Sequence, residues 1–262
     1  MSYNQAPLLA YWWLDGYVDF SAEQAPRVRQ ALEEYVAWHR STQLPDYAQL
    51  LQRLQPLAQD KVTAQQVCAV ADDLQRRLEV AYEQAVPAMA EIVRSFGPAQ
   101  IDHLAKRYAR NNEETQRDFL QADLAERREA TLKRTVERAE TIYGALDEGQ
   151  RALLAAGLEV SPFDPQRWLA ERRARQQDIL RTLRQLLAEH ADAGTAQAAL
   201  RAFAAQAARS PRAEYRHYQL RLIEANCALT AQLHNSTRSA QRQHAVDKLK
   251  GWAEDAKALM RP

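Results

Sequence analysis

Residues 63–96 read TAQQVCAVADDLQRRLEVAYEQAVPAMAEIVRSF. Val67, Val70, Leu74, Leu78, Ala81, Ala85, Met89, Ile92 and Phe96 recur at three- and four-residue steps, which lays one apolar stripe along a helix. A strand could not keep that set together, because its side chains alternate between faces. Thr63 and Gln66 open the stretch with the capping-box spacing, in which the hydroxyl takes the amide three residues on and the glutamine reaches back. Pro87 sits inside the stripe and predicts a kink near Glu83, whose carbonyl loses its partner.

The same grammar extends outward in both directions. Downstream, stripes predict helices over 98–118, 123–144, 147–157, 165–190, 195–209 and 211 onward, and a last one carrying Ala245, Leu249, Trp252, Ala256 and Leu259. Ser21/Gln24 and Asp147/Gln150 repeat the capping spacing; Gly97/Gln100 and Arg238/Gln241 are weaker copies. Thr195 is expected to cap the Ala-rich helix. Upstream, a helix over 21–39 is expected to break at Leu44-Pro45, with Asp46 capping the next one through Leu57. The fold class is therefore all-α, a multi-helix bundle of about ten antiparallel helices with short loops. It reads as one domain, 1–262, with Ser161-Pro-Phe-Asp-Pro165 as the one boundary signal that could separate lobes 1–160 and 161–262.

Composition narrows the function classes. The 262 residues hold 35 basic and 34 acidic side chains for a net charge of +1, so no bulk field favours nucleic acid or an anionic membrane surface. Seven glycines cannot build phosphate-cradling loops, and six scattered histidines show no metal-ligand spacing. No nucleophile elbow or dinucleotide fingerprint is present, and the reading is of a protein that is not an enzyme, with no cofactor, no metal and no nucleic-acid partner. The longest apolar run, residues 7–14, is too short to span a bilayer, and the start Met-Ser-Tyr has no charged or apolar leader, which alone points to the cytosol. Cys68 and Cys227 each fall on an apolar helical face; two buried thiols or, in an oxidising compartment, a disulfide would both fit.

Three features carry functional weight. The run Tyr11-Trp12-Trp13-Leu14-Asp15-Gly16-Tyr17-Val18-Asp19-Phe20 is the densest in large side chains, and is read first as a plug that several helices close around. Its functional alternative is an exposed patch that grips apolar segments or meets a membrane interface. Next, Asn112, Arg172 and Gln176 intrude on core stripes near Trp168, either as a satisfied network with Asp15 or Asp19 on Arg172, or as the polar floor of a pocket for an apolar or anionic small molecule. Finally, Lys106, Arg107 and Arg110, and Arg172, Arg173 and Arg175, read as solvated cationic faces.

The segment Tyr3-Asn-Gln-Ala-Pro-Leu-Leu-Ala-Tyr-Trp-Trp-Leu-Asp-Gly-Tyr-Val-Asp-Phe20 resembles the opening of a family of proteobacterial lipoproteins of unknown function. Arg40-Ser-Thr-Gln-Leu-Pro-Asp-Tyr47, Ser161-Pro-Phe-Asp-Pro165 with Trp168, and His234-Asn-Ser-Thr237 with Gln241 fit the same family. A weaker similarity is to small periplasmic stress chaperones with Leu-Thr-x-x-Gln motifs, carried by the glutamine capping boxes. These resemblances imply an envelope protein, held in its natural form by an N-terminal lipid anchor that this chain lacks, with other envelope proteins or unfolded polypeptides as partners. They assign no catalytic residue.

Overall fold

The computed structural model describes residues 3–261, so residues 1, 2 and 262 of the expected domain lie outside it. After a 3₁₀ turn, Tyr3–Gln5, the α-helices are α1 (Ala6–Val18), α2 (Ala25–Trp38), α3 (Leu44–Gln59), α4 (Ala64–Arg94), α5 (Pro98–Phe119), α6 (Leu124–Tyr143), α7 (Glu148–Glu159), α8 (Pro165–Ala188), α9 (Ala193–Ala208), α10 (Ala213–Ser236) and α11 (Ser239–Leu259). No strand occurs among the described residues, and the protein is an all-α bundle. None of its described helices is long and apolar enough to cross a membrane.

Two local expectations are corrected. Leu44-Pro45 does not break the chain: a π-helical turn, His39–Gln43, joins α2 to α3, with the Leu44 N–H bonded to the His39 carbonyl five residues back. Pro45 then sits in the first turn of α3, where a missing N–H costs little. Asp46 is consequently free of capping and pairs with Arg77 of α4 at 2.6 Å. At α9 the cap is Asp192, which accepts the Thr195 N–H at 2.7 Å. That bond holds the Asp192 carboxyl below the usual carboxylate range.

Long-range pairings organise the bundle: α3 lies on α11, α4 on α9 and α10, and α5 on α8. Val86, Ala90, Ile101, Leu104, Leu183, Leu186, Ala196 and Leu200 form the largest buried cluster. A second gathers Val136, Leu146, Leu154 and Leu233, and a third Ala58, Ala245 and Val246. Each large aliphatic side chain so buried contributes about 1.5–3 kcal/mol. Every cluster draws residues from both sides of position 160, so a cut between 1–160 and 161–262 passes through each of them. Cys68 and Cys227, with Cα atoms 5.5 Å apart, form a disulfide that ties α4 to α10.

The glutamines of the capping boxes do more than close their own helices. Gln24 Nε2 donates to Gln100 Oε1 (3.2 Å) and Gln100 Nε2 to Gln24 Oε1 (2.7 Å). Each carboxamide also takes its own helix-opening N–H, from Ser21 and Gly97, and gives a second N–H to the carbonyl beside its partner's helix start, Ser95 and Asp19. Gln150 and Gln241 repeat this arrangement at 2.7 and 2.9 Å, with Asp147 and Arg238 as N–H donors and Ser236 and Ala145 as carbonyl acceptors. Two pairs of helix N-termini, α2 with α5 and α7 with α11, are thus clasped by the same closed network, in which every amide valence is used.

Candidate functional site

The Tyr11–Phe20 run forms most of α1, and the plug reading fails there. Only Tyr11 is buried; Trp12 and Trp13 are 60 % and 63 % exposed, with Leu8 and Leu9 beside them on the same face. The cause is a helix apolar on every side, whose neighbours α2 and α5 can cover only part of it. Tyr11 turns inward under the Arg29 guanidinium, 4.4 Å from its ring, and Tyr17 accepts from Asn111 Nδ2 at 2.7 Å while Arg107 lies over its ring. Trp12 meets Tyr11 edge-on and Trp13 leans on Tyr17, which fixes both indoles without covering them. Asp15 and Asp19 end the helix. Asp15 accepts the Phe20 N–H at 2.9 Å, and Asp19 takes the left-handed cap conformation at φ 58°.

Asn112, Arg172 and Gln176 come together as a chain. Asn112 Nδ2 donates to Gln176 Oε1 at 2.6 Å, and Arg172 Nε donates to Asn112 Oδ1 at 3.0 Å. Arg172 therefore reaches Asn112 and not Asp15 or Asp19, and its guanidinium lies 6.0 Å from the Trp168 ring, itself packed on Phe119. This hydrogen-bonded chain borders an open cleft of about 760 Å³ between α1, α4, α5, α8 and α9. Arg172 and Gln176 line it while Asn112 is buried behind them; Asn111 and Arg175 extend the polar wall on that side, and Gln75, Glu79 and Gln206 add polar groups from α4 and α9.

Most of the lining escaped the sequence reading. Tyr82 and Leu78 come from α4, Tyr108 from α5, Ile179 and Leu183 from α8, and Phe203 with Ala204 and Ala207 from α9; Trp13 and Tyr17 form its α1 side. Burial raises the Tyr82 and Tyr108 phenols above the ordinary tyrosine value, so both stay protonated at neutral pH. Tyr82 spends its proton on the Leu200 carbonyl at 2.8 Å. The sequence marks this cleft through Arg172 and Gln176 on a core stripe, and the Ala-rich α9 supplies small side chains that leave volume beside larger ones.

The basic residues divide in the same way. Arg173 is exposed and bonds Gln116, whereas Arg175, half-buried, faces the cleft with Arg172. A network the sequence did not signal holds the α9–α10 connection: buried Glu171 accepts from Ser210 Oγ at 2.7 Å and from Arg212, which also pairs with Asp178. Among the described residues no three His, Cys, Asp or Glu side chains converge as a metal site requires.

Fold and surface together define an all-helical protein with an apolar outward helix face and an adjoining cleft. The chain belongs to a family of unknown function, DUF6279, which matches residues 16–196, from the end of α1 into α9. No curated protein and no solved structure matches it.

Proposed function

We propose that this chain is a non-enzymatic binding domain of the cell envelope that engages apolar segments of other polypeptides, envelope proteins or unfolded chains, on the outward face of α1. The observation that carries this reading is the exposure of Trp12 and Trp13, side by side with Leu8 and Leu9, on a helix whose opposite face is already clamped. Packing needs Tyr11 and Tyr17 on the inner side. It makes no demand for indoles on the outer one, where polar residues would serve the fold as well. Contiguous apolar side chains on a surface mark interaction sites, and rigid aromatic anchors dominate the energy of such contacts.

The envelope placement rests on the family resemblance of the aromatic opening, which implies a lipid-tethered natural form, and is supported by the Cys68–Cys227 disulfide, a bond that persists in oxidising compartments. The test is light scattering from a chemically unfolded client. Stoichiometric protein should suppress it, and a Trp12→Ser/Trp13→Ser variant of unchanged melting temperature should do so several-fold less well. Undiminished scattering with wild-type protein removes the unfolded-chain reading; full activity in the double variant moves the contact away from α1. Crosslinking from envelope fractions then separates one recurrent partner from many clients.

A further inference from the structure

The cleft carries a reading of its own, argued from its α4, α8 and α9 walls, although Trp13 borders both it and the α1 face. Its walls are the sides of helices, whose backbone N–H and C=O groups are already spent within each helix. Leu78, Tyr82, Tyr108, Ile179, Leu183 and Phe203 therefore present an apolar wall, open to solvent at Leu78, with little to offer a peptide backbone. A polypeptide lying there would leave those of its amides that face the wall unmatched, at about 1–3 kcal/mol each. An acyl chain has no such groups. The volume, about 760 Å³, falls in the range of small-molecule sites.

One wall is cationic. Arg172 and Arg175 lie three apart on α8 and both line the cleft. Arg172 uses its Nε on Asn112 and keeps both terminal nitrogens without a hydrogen bond or ion pair among the described residues. Arg175, half-buried, has neither bond, whereas the half-buried guanidiniums of Arg77 and Arg212 are held by carboxylates and those of Arg127, Arg134, Arg216 and Arg242 by backbone carbonyls; Arg107 lies over the Tyr17 ring. The Asn112–Gln176 pair fixes Arg172 from behind, which prepares its outer edge for a planar anion. The acidic side chain on the lining is Glu79, on α4 across the cleft.

We propose that the cleft binds a long-chain carboxylate, a fatty acid, with its head on Arg172 and Arg175 and its tail between α4, α8 and α9. Titration of the intact, disulfide-bonded protein with palmitate, kept below its aggregation concentration, is the experiment, read by calorimetry and by the tryptophan emission, to which Trp13 at the cleft edge contributes. Saturable one-to-one binding is expected, weakened about tenfold or more in Arg175→Gln, a residue with no bond to lose, and in hexadecanol, which has the tail without the charge. Ala204→Trp, which fills the channel from α9, should abolish it. Palmitate that fails to saturate, or that binds Arg175→Gln and Ala204→Trp as tightly as wild type while their melting temperatures are unchanged, overturns the proposal. Equal affinity for palmitate and hexadecanol overturns the role of the arginines.

Discussion

The two glutamine clasps make the same six hydrogen bonds in two different surroundings. Gln24 and Gln100 are half-buried, near the root of α1, where water can take the place of a lost partner. Gln150 and Gln241 are only 2 % and 7 % exposed. Geometry in both cases comes from helix capping, a local matter. Energy comes from burial, because an unmatched amide is costly only where solvent cannot reach it. The more solvated clasp belongs to the side of the molecule with the exposed indoles and the cleft, and the sealed one to the side that only packs.

The strongest way to break this comparison is to cut the covalent link between the sides. Cys68 lies on α4, which reaches into the largest core, and Cys227 on α10, which supplies Leu233 to the second. Closing a loop of 159 residues constrains the unfolded chain by roughly 4–5 kcal/mol in the chain-entropy picture. A Cys68→Ser/Cys227→Ser variant should lose about that much in chemical denaturation, and wild-type protein denatured without reductant should show no titratable thiol. Two reactive thiols, with stability indifferent to reductant, would leave the two sides joined by packing alone.

The clasps themselves give the next effect. Gln241→Ala strips the Gln150 amide of its partner in a sealed site and should cost about 2–3 kcal/mol, with Gln150→Ala similar. Gln100→Ala and Gln24→Ala remove the same bonds near water and should cost about 1 kcal/mol or less. A double-mutant cycle sharpens the point: coupling between Gln150 and Gln241 should exceed that between Gln24 and Gln100. Equal losses at the two sites would mean that the first clasp excludes water as well as the second.

Much of this was legible in the sequence, and the gaps have definite causes. Helix starts at Thr63, Asp123, Asp147 and Asp164 follow from chemistry within three residues, and the structure places caps at each. The pairing of Gln24 with Gln100, and of Gln150 with Gln241, links positions 76 and 91 apart; a capping glutamine looks the same whether or not its far edge finds a partner. The exposure of Trp12 and Trp13 was hidden because α1 is apolar on every side, so its pattern holds no inward direction. Leu44-Pro45 misled for the opposite reason: a proline stops an α-helix, but one π turn sets it at the start of the next segment. The intrusion of Asn112, Arg172 and Gln176 was visible. That they would form a paired chain and also border a cleft depended on how α5, α8 and α9 meet.

The smallest expected effect is a pair of glycine replacements of opposite sign. Within a helix, alanine for glycine lowers the entropy of the unfolded chain and favours the fold by about 0.4–1 kcal/mol where there is room. Gly16, on the solvated face of α1, has nothing within 4 Å of the position its Cβ would take, so Gly16→Ala should raise the melting temperature slightly. At Gly157, on α7, the new carbon would lie 2.3 Å from Leu229 Cδ1 and 3.2 Å from its Cγ. Leu229 packs against the Val136, Leu154 and Leu233 core, so it must change rotamer or push α10 away. That strain, of order 1–3 kcal/mol, outweighs the gain in chain entropy, and Gly157→Ala should lower the melting temperature. If both replacements stabilise, α7 and α10 meet softly, and the sealed clasp beside them owes its burial to something other than tight helix packing.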